Sequence, residues 1–81
     1  MGNKVALIGI FVKKREVAQE LNNLLTEFGD CIIGRMGIPH REKSVNIICI
    51  VVDAPKNVIE ELSEKIEILD EISTKTTYID E

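Results

Sequence analysis

The residues best suited to chemistry form one segment between two apolar runs, Arg35-Met36-Gly37-Ile38-Pro39-His40-Arg41-Glu42-Lys43. It contains two arginines, the only histidine of the chain, a glycine and a proline. Guanidinium groups bind carboxylates and phosphates through paired hydrogen bonds. The segment therefore indicates anion binding.

A second basic cluster, Lys13-Lys14-Arg15, directly follows the first apolar run. It precedes a predicted helix, and a helix N-terminus favours a bound anion over a neighbouring cation. The alternative interpretation is that both clusters are solvated loop charges. The two clusters can form one site only if the fold brings them together.

Other chemistries have few candidate residues. Cys31 and Cys49 lie in apolar surroundings without a CxxC partner, which predicts buried free thiols. With His40 they are the only soft ligands, whereas structural zinc usually takes four at short paired spacings. No acidic residues pair as a general acid and base. We therefore expect no enzyme activity, no catalytic residue, no cofactor and no metal within one chain, while a metal site shared between subunits stays open.

Apolar runs predict strands at residues 5–12, 31–38, 45–52 and 72–79. Helical spacing of apolar residues predicts one helix that Gly29 ends and a second that starts at Pro55. The order βαββαβ is that of a ferredoxin-like α+β fold, an antiparallel four-stranded sheet with two helices on one face. Residues 1–81 are expected to form a single domain.

In this topology, strand one ends where the hairpin between strands two and three turns. The start of helix one and residues 39–44 should then lie near each other. We therefore predict a ligand-binding site for a small anion, formed by the following residues: Lys13, Lys14, Arg35, Met36, Gly37, His40 and Arg41. Lys43 is expected to add to its charge.

The central strands are apolar on both faces, since residues 47–52 contain no polar side chain other than the Cys49 thiol. A sheet covered on one face only would alternate apolar and polar residues. A second copy of the chain is the simplest cover, which predicts a homodimer or homotetramer that assembles through the sheet. The alternative is a partly exposed apolar sheet.

Composition limits the other functions. The chain has 81 residues, 44% hydrophobic and 30% charged, which is typical of a globular protein. Its apolar runs are shorter than the roughly 20 residues that span a membrane, and we expect a cytoplasmic location without membrane contact. Residues 1–52 carry a net charge of +2 and residues 53–81 one of −6, with 4% aromatic residues overall. These features argue against direct nucleic-acid binding.

Residues 33–43, together with Val51-Val52-Asp53-Ala54-Pro55, resemble a small family of regulators named for the iron-only hydrogenase system. The likeness extends over residues 5–78. That family is similar in fold to ACT domains and to the C-terminal ligand-sensing domain of the nickel-responsive repressor, which assemble through their sheets. The resemblance implies a regulatory, ligand-sensing or assembly role. It does not extend to nickel binding, because the nickel-sensing domains use several histidines and this chain has His40 alone.

Three functions follow as hypotheses. The first is a ligand-sensing oligomeric regulator without its own DNA-binding domain, which must act through a protein partner. The second is a protein-interaction or assembly module with no small ligand. The third is a metal-binding protein that uses His40, Cys31 or Cys49 from more than one subunit.

Overall fold

A computed structural model describes residues 2–41 and 45–79 of the chain. The fold is α+β with the predicted order βαββαβ, and two short 3₁₀ turns, Arg15–Val17 and Gly29–Cys31, flank the first helix. The main elements are β1 (Lys4–Val12), α1 (Ala18–Glu27), β2 (Ile32–His40), β3 (Val45–Ala54), α2 (Lys56–Glu67) and β4 (Ile72–Tyr78). The fold class predicted from the sequence is confirmed.

The four strands form one antiparallel sheet in the order β2-β3-β1-β4. The two most apolar strands, β1 and β3, are therefore central, as predicted. The edge strands are the glycine-containing β2 and the threonine-rich β4. Because directly paired residues of antiparallel strands share a face, the register assigns each side chain of the sheet to one side.

The core lies between the helices and one face of the sheet. The even-numbered residues of β1, from Ala6 to Val12, are 0–2% exposed, and Ile50 and Val52 of β3 are fully buried. Both helices contribute to the same cluster through Leu21, Leu25, Ile59, Leu62 and Ile66. Each such side chain contributes about 1.5–3 kcal/mol relative to an exposed position. This layer makes the sheet a rigid support for the loops at its ends.

The helix ends differ in detail from the prediction. Helix α1 ends at Glu27, but Gly29 does not take the left-handed conformation of a glycine cap and instead begins a 3₁₀ turn. Pro55 immediately precedes α2, and its carbonyl accepts hydrogen bonds from the amides of Val58 and Ile59. Among the described residues, the only positive φ, 56°, belongs to Glu71 before β4.

The opposite face of the sheet, called the open face below, is apolar and uncovered by the described residues. Its side chains are those of Leu7, Phe11, Met36, Ile38, Ile47, Cys49 and Val51, with Ser73, Lys75 and Thr77 along the β4 edge. Between 44% and 57% of the side chains of Leu7, Phe11, Met36 and Ile38 is exposed. The predicted apolar character of both faces is confirmed. Neither helix, within the described ranges, is long and apolar enough to cross a membrane.

Candidate functional site

Basic side chains surround a depression at the end of the sheet where β1 stops and β2 leads toward β3. This depression, called the basic depression below, has a volume of about 440 Å³. Its lining residues are Val12, Lys13, Arg15, Pro39, His40, Arg41, Val45 and Asn46. The two clusters that the sequence places far apart therefore contribute to one surface.

Strand pairing positions the walls of this depression. Asn46 pairs with Val12 on one side and with Pro39 on the other, and His40 pairs with Val45. The ends of three adjacent strands thus lie side by side. Side chains that follow these strand ends must project around one opening.

Two backbone hydrogen bonds fix the segment after β1. The Lys13 amide donates to the carbonyl of Glu71 at 3.0 Å, which ties the end of β1 to the start of β4. The Val17 amide donates to the Lys14 carbonyl at 3.1 Å and closes the 3₁₀ turn that carries Arg15. Hydrogen bonds therefore hold the backbone that carries the cationic residues of this segment.

The charged residues that line the depression are all cationic. Lys13, Arg15 and Arg41 carry its permanent charges, and His40 adds a ring N–H donor. In the described part of the chain, the ion pairs involve other lysines: Lys14 with Asp70, and Lys65 with Glu27 and Glu61. Positive charges that line one concave surface raise the local concentration of anions. A carboxylate or phosphate would satisfy these donors.

Lys14 points away from the basic depression. Its Nζ donates to Oδ2 of Asp70 at 3.1 Å, and this hydrogen bond, together with the charge of Asp70, raises the pKa of Lys14. The structure therefore separates Lys14 from Lys13, although the two are adjacent in sequence.

Arg35 and Gly37 face the helices, since they pair with Ile50 and Ile48. Arg35 Nη2 donates to Oδ1 of Asn22 at 2.6 Å and so connects the edge strand to α1. Met36 projects from the open face opposite Cys49. Of the seven predicted site residues, Lys13, His40 and Arg41 thus meet in the basic depression, whereas Lys14, Arg35, Met36 and Gly37 lie elsewhere. Lys43 is outside the described residues.

Arg15 and Asn46 also line the basic depression, although neither is among the seven predicted site residues. The sequence did place Arg15 in the basic cluster that was expected at this end of the sheet, whereas Asn46 was not considered. Arg15 is the first residue of the 3₁₀ turn, whereas Lys14 precedes that turn with an extended backbone. The position of Asn46 follows only from its pairing with Val12 and Pro39. The basic cluster was a usable signal for Arg15, whereas nothing in the local sequence identifies Asn46.

An apolar concavity of about 360 Å³ adjoins the basic depression. It is called the apolar hollow below, and its lining residues are Phe11, Lys13, His40, Val45, Ile47 and Ser73. Phe11 pairs with both Ile47 and Ser73, which places the hollow on the open face. Lys13, His40 and Val45 line both concavities.

Comparison with known proteins identifies the family. A family model described as "TM1266-like: Iron-only hydrogenase system regulator, putative" matches residues 4–76. The chain belongs to this TM1266-like family. A solved structure, that of the uncharacterized protein TM1266 from Thermotoga maritima, superposes with a TM-score of 0.92 at 26% identity, covering 96% of this chain and 99% of that chain. No curated protein gives a significant match.

The resemblance drawn from the Arg-Met-Gly-Ile-Pro segment is therefore confirmed. In this TM1266-like chain the segment has two different environments: Arg35 contacts α1, whereas Met36 and Ile38 lie on the open face. His40 and Arg41 then reach the basic depression. The segment from which the resemblance was drawn thus contributes both to the fold and to the candidate site.

The described residues of this TM1266-like chain bring no cluster of metal-binding side chains together. Among residues 2–41 and 45–79, no three His, Cys, Asp or Glu side chains are grouped closely enough to hold a metal ion. Cys31 packs partly against the core beyond α1, and Cys49 lies on the open face. Both cysteines are free and only partly buried, where the sequence predicted buried thiols.

Proposed function

We propose that this chain is a ligand-sensing, homo-oligomeric regulatory module of the iron-only hydrogenase system, which binds a small anion in the basic depression. It acts in the cytoplasm and transmits the signal through a protein partner. The observation that carries the proposal is the convergence of Lys13, Arg15 and Arg41 with His40 around one concavity of about 440 Å³. Membership of a regulator family supports a binding role over catalysis.

Thermal unfolding with inorganic phosphate or citrate tests the anion site. A ligand at ten times its dissociation constant stabilises the folded state by about 1.4 kcal/mol. For a domain of this size, that raises the melting temperature by roughly 6–11 °C. The Lys13→Gln and Arg41→Gln variants should lose most of the shift.

Two matched variants serve as controls. Lys14→Gln and Arg35→Gln remove the same charges from residues that point to Asp70 and Asn22. They should change the melting temperature of the free protein but retain the ligand-induced shift. Equal shifts in all four variants would place the anion elsewhere and refute the proposed site.

The open face supports the homo-oligomeric part of the proposal. Four strands about 4.8 Å apart and seven residues long, at about 3.3 Å per residue, give a face of roughly 19 by 23 Å. Two copies packed face to face would cover roughly 900 Å² in projection, close to the about 1,000 Å² that a specific interface needs. Side-chain relief adds to this area. A second copy presents the same apolar surface, so a twofold axis can match the two faces.

The second candidate function is an assembly module that binds a protein and no small ligand. The same open face favours it, because a contiguous apolar surface is typical of interaction sites. The thermal-shift series separates the two functions. An oligomer that no anion stabilises supports the assembly module, whereas a shift that depends on Lys13 and Arg41 supports the sensor.

A further inference from the structure

We infer that the anion bound at the basic depression carries an apolar group, aromatic or branched aliphatic, which occupies the apolar hollow. This inference rests on the proposed function, since it specifies the class of ligand at the same site. The chemistry is that of an amphipathic carboxylate or phosphate. A bare inorganic anion in the basic depression would leave the apolar hollow unoccupied.

The shared residues carry the argument. Lys13 and His40 line both concavities, so an anionic group held between them has cationic walls on one side and the hollow on the other. The hollow is bounded by Phe11, Val45 and Ile47. An apolar substituent on the anion would therefore meet an aromatic ring and two branched side chains.

The chemistry of the two concavities is complementary. The basic depression has the permanent charges of Lys13, Arg15 and Arg41, and the hollow has only Lys13 among these. Phe11 is 44% exposed in the single chain and lies at the end of β1, so a ligand in the hollow occupies this end of the open face and a second copy covers the rest. Apolar pockets with a few convergent polar groups are the usual form of small-ligand sites.

Calorimetric titrations with two pairs of probes test the inference. Phenylphosphate is compared with inorganic phosphate, and benzoate with acetate. Burying roughly 60 Å² of ring surface should make each aromatic probe about tenfold tighter than its partner. Whether the phosphate or the carboxylate pair binds more tightly identifies the preferred anionic group.

Variants locate the ring. Phe11→Thr should reduce the roughly tenfold preference for the aromatic probe to about twofold or less while it leaves phosphate affinity unchanged. Lys13→Gln should weaken both members of each pair. Ile68→Thr is the matched control, because Ile68 follows α2, away from the open face, and lines neither the hollow nor the basic depression. It should retain the full preference.

The outcomes separate this inference from the proposed function. Equal affinity for phosphate and phenylphosphate, with both weakened by Lys13→Gln, overturns the apolar group and leaves the anion site standing. No binding of any probe overturns the anion site as well. A preference that Phe11→Thr retains, or that Ile68→Thr abolishes, shows that the ring does not lie in the hollow.

Discussion

Replacing Leu7 by threonine tests the proposed self-association at a residue that is remote from the basic depression. Leu7 pairs with Val51 and Thr77 across the sheet, and 46% of its side chain is exposed on the open face. Threonine has the β-branched shape that strands favour, and it removes most of the apolar surface of leucine. The variant should therefore fold, but its open face should associate less tightly with a second copy.

The magnitude follows from the exposed fraction. Full burial of a leucine side chain contributes about 1.5–3 kcal/mol. A partner that covers the exposed 46% gains about 0.7–1.4 kcal/mol per copy, or about 1.4–2.8 kcal/mol for both copies of a symmetric dimer. The dissociation constant of the dimer should rise about 10- to 100-fold.

Sedimentation equilibrium over a wide concentration range measures this constant directly. Ile68→Thr is the matched control, since Ile68 is 82% exposed but follows α2 instead of lying on the open face. It removes a comparable apolar surface and should leave the dissociation constant unchanged. A wild-type chain that stays monomeric throughout, or equal constants for the two variants, would refute the reasoning.

Three further predictions concern the fold. Ile50→Val removes one methyl group from a fully buried residue and should lower stability by about 0.5–1.5 kcal/mol. Chemical denaturation checks this, and an unchanged midpoint would contradict the packing. Gly37→Ala should raise stability by about 0.4–1 kcal/mol, because a Cβ there meets no atom within 4 Å and φ is not positive. A lower denaturation midpoint for this variant would show that alanine is strained at position 37. Burial, and then the charge of Glu60, raise the pKa of Tyr78 above its ordinary value of 10.0. The stability that the neutral phenol contributes is therefore complete below pH 10.0 and is lost as the pH rises through the folded-state pKa. Tyr78→Phe should show a smaller fall in urea midpoint between about pH 9 and about pH 11, and equal falls would refute the assignment.

The sheet order and the core could be predicted because both depend on patterns that local sequence preserves. Continuous apolar runs identify central strands, and the spacing of Ile59, Leu62 and Ile66 identifies the buried face of α2. The handedness of the crossovers then leaves few topologies. Strand bounds shifted by one or two residues, as in β2, which was predicted at 31–38 and observed at Ile32–His40.

The partner of each basic residue was harder to predict, because it depends on segments distant in sequence. Lys14 binds Asp70, which lies between α2 and β4, and only the folded structure brings that turn beside the start of α1. Arg35 similarly donates a hydrogen bond to Asn22, which lies thirteen residues earlier in the chain. Such contacts have no periodic signal, so the sequence predicts a basic surface but not which of its cations stay available to a ligand.

A β-bulge in β2 decides which residues reach the candidate site. Ile32 pairs with Val52 on the helix side, but the next paired residue is Gly34, opposite Val51, so Ile33 is the extra residue. Because side chains alternate, this single insertion reverses the side of every later residue in the strand. Without it Arg35 would lie on the open face and His40 would face the helices. β2 is thus both an edge strand and a bulged one, and the location of the extra residue places His40 beside Lys13 at the boundary of the two concavities.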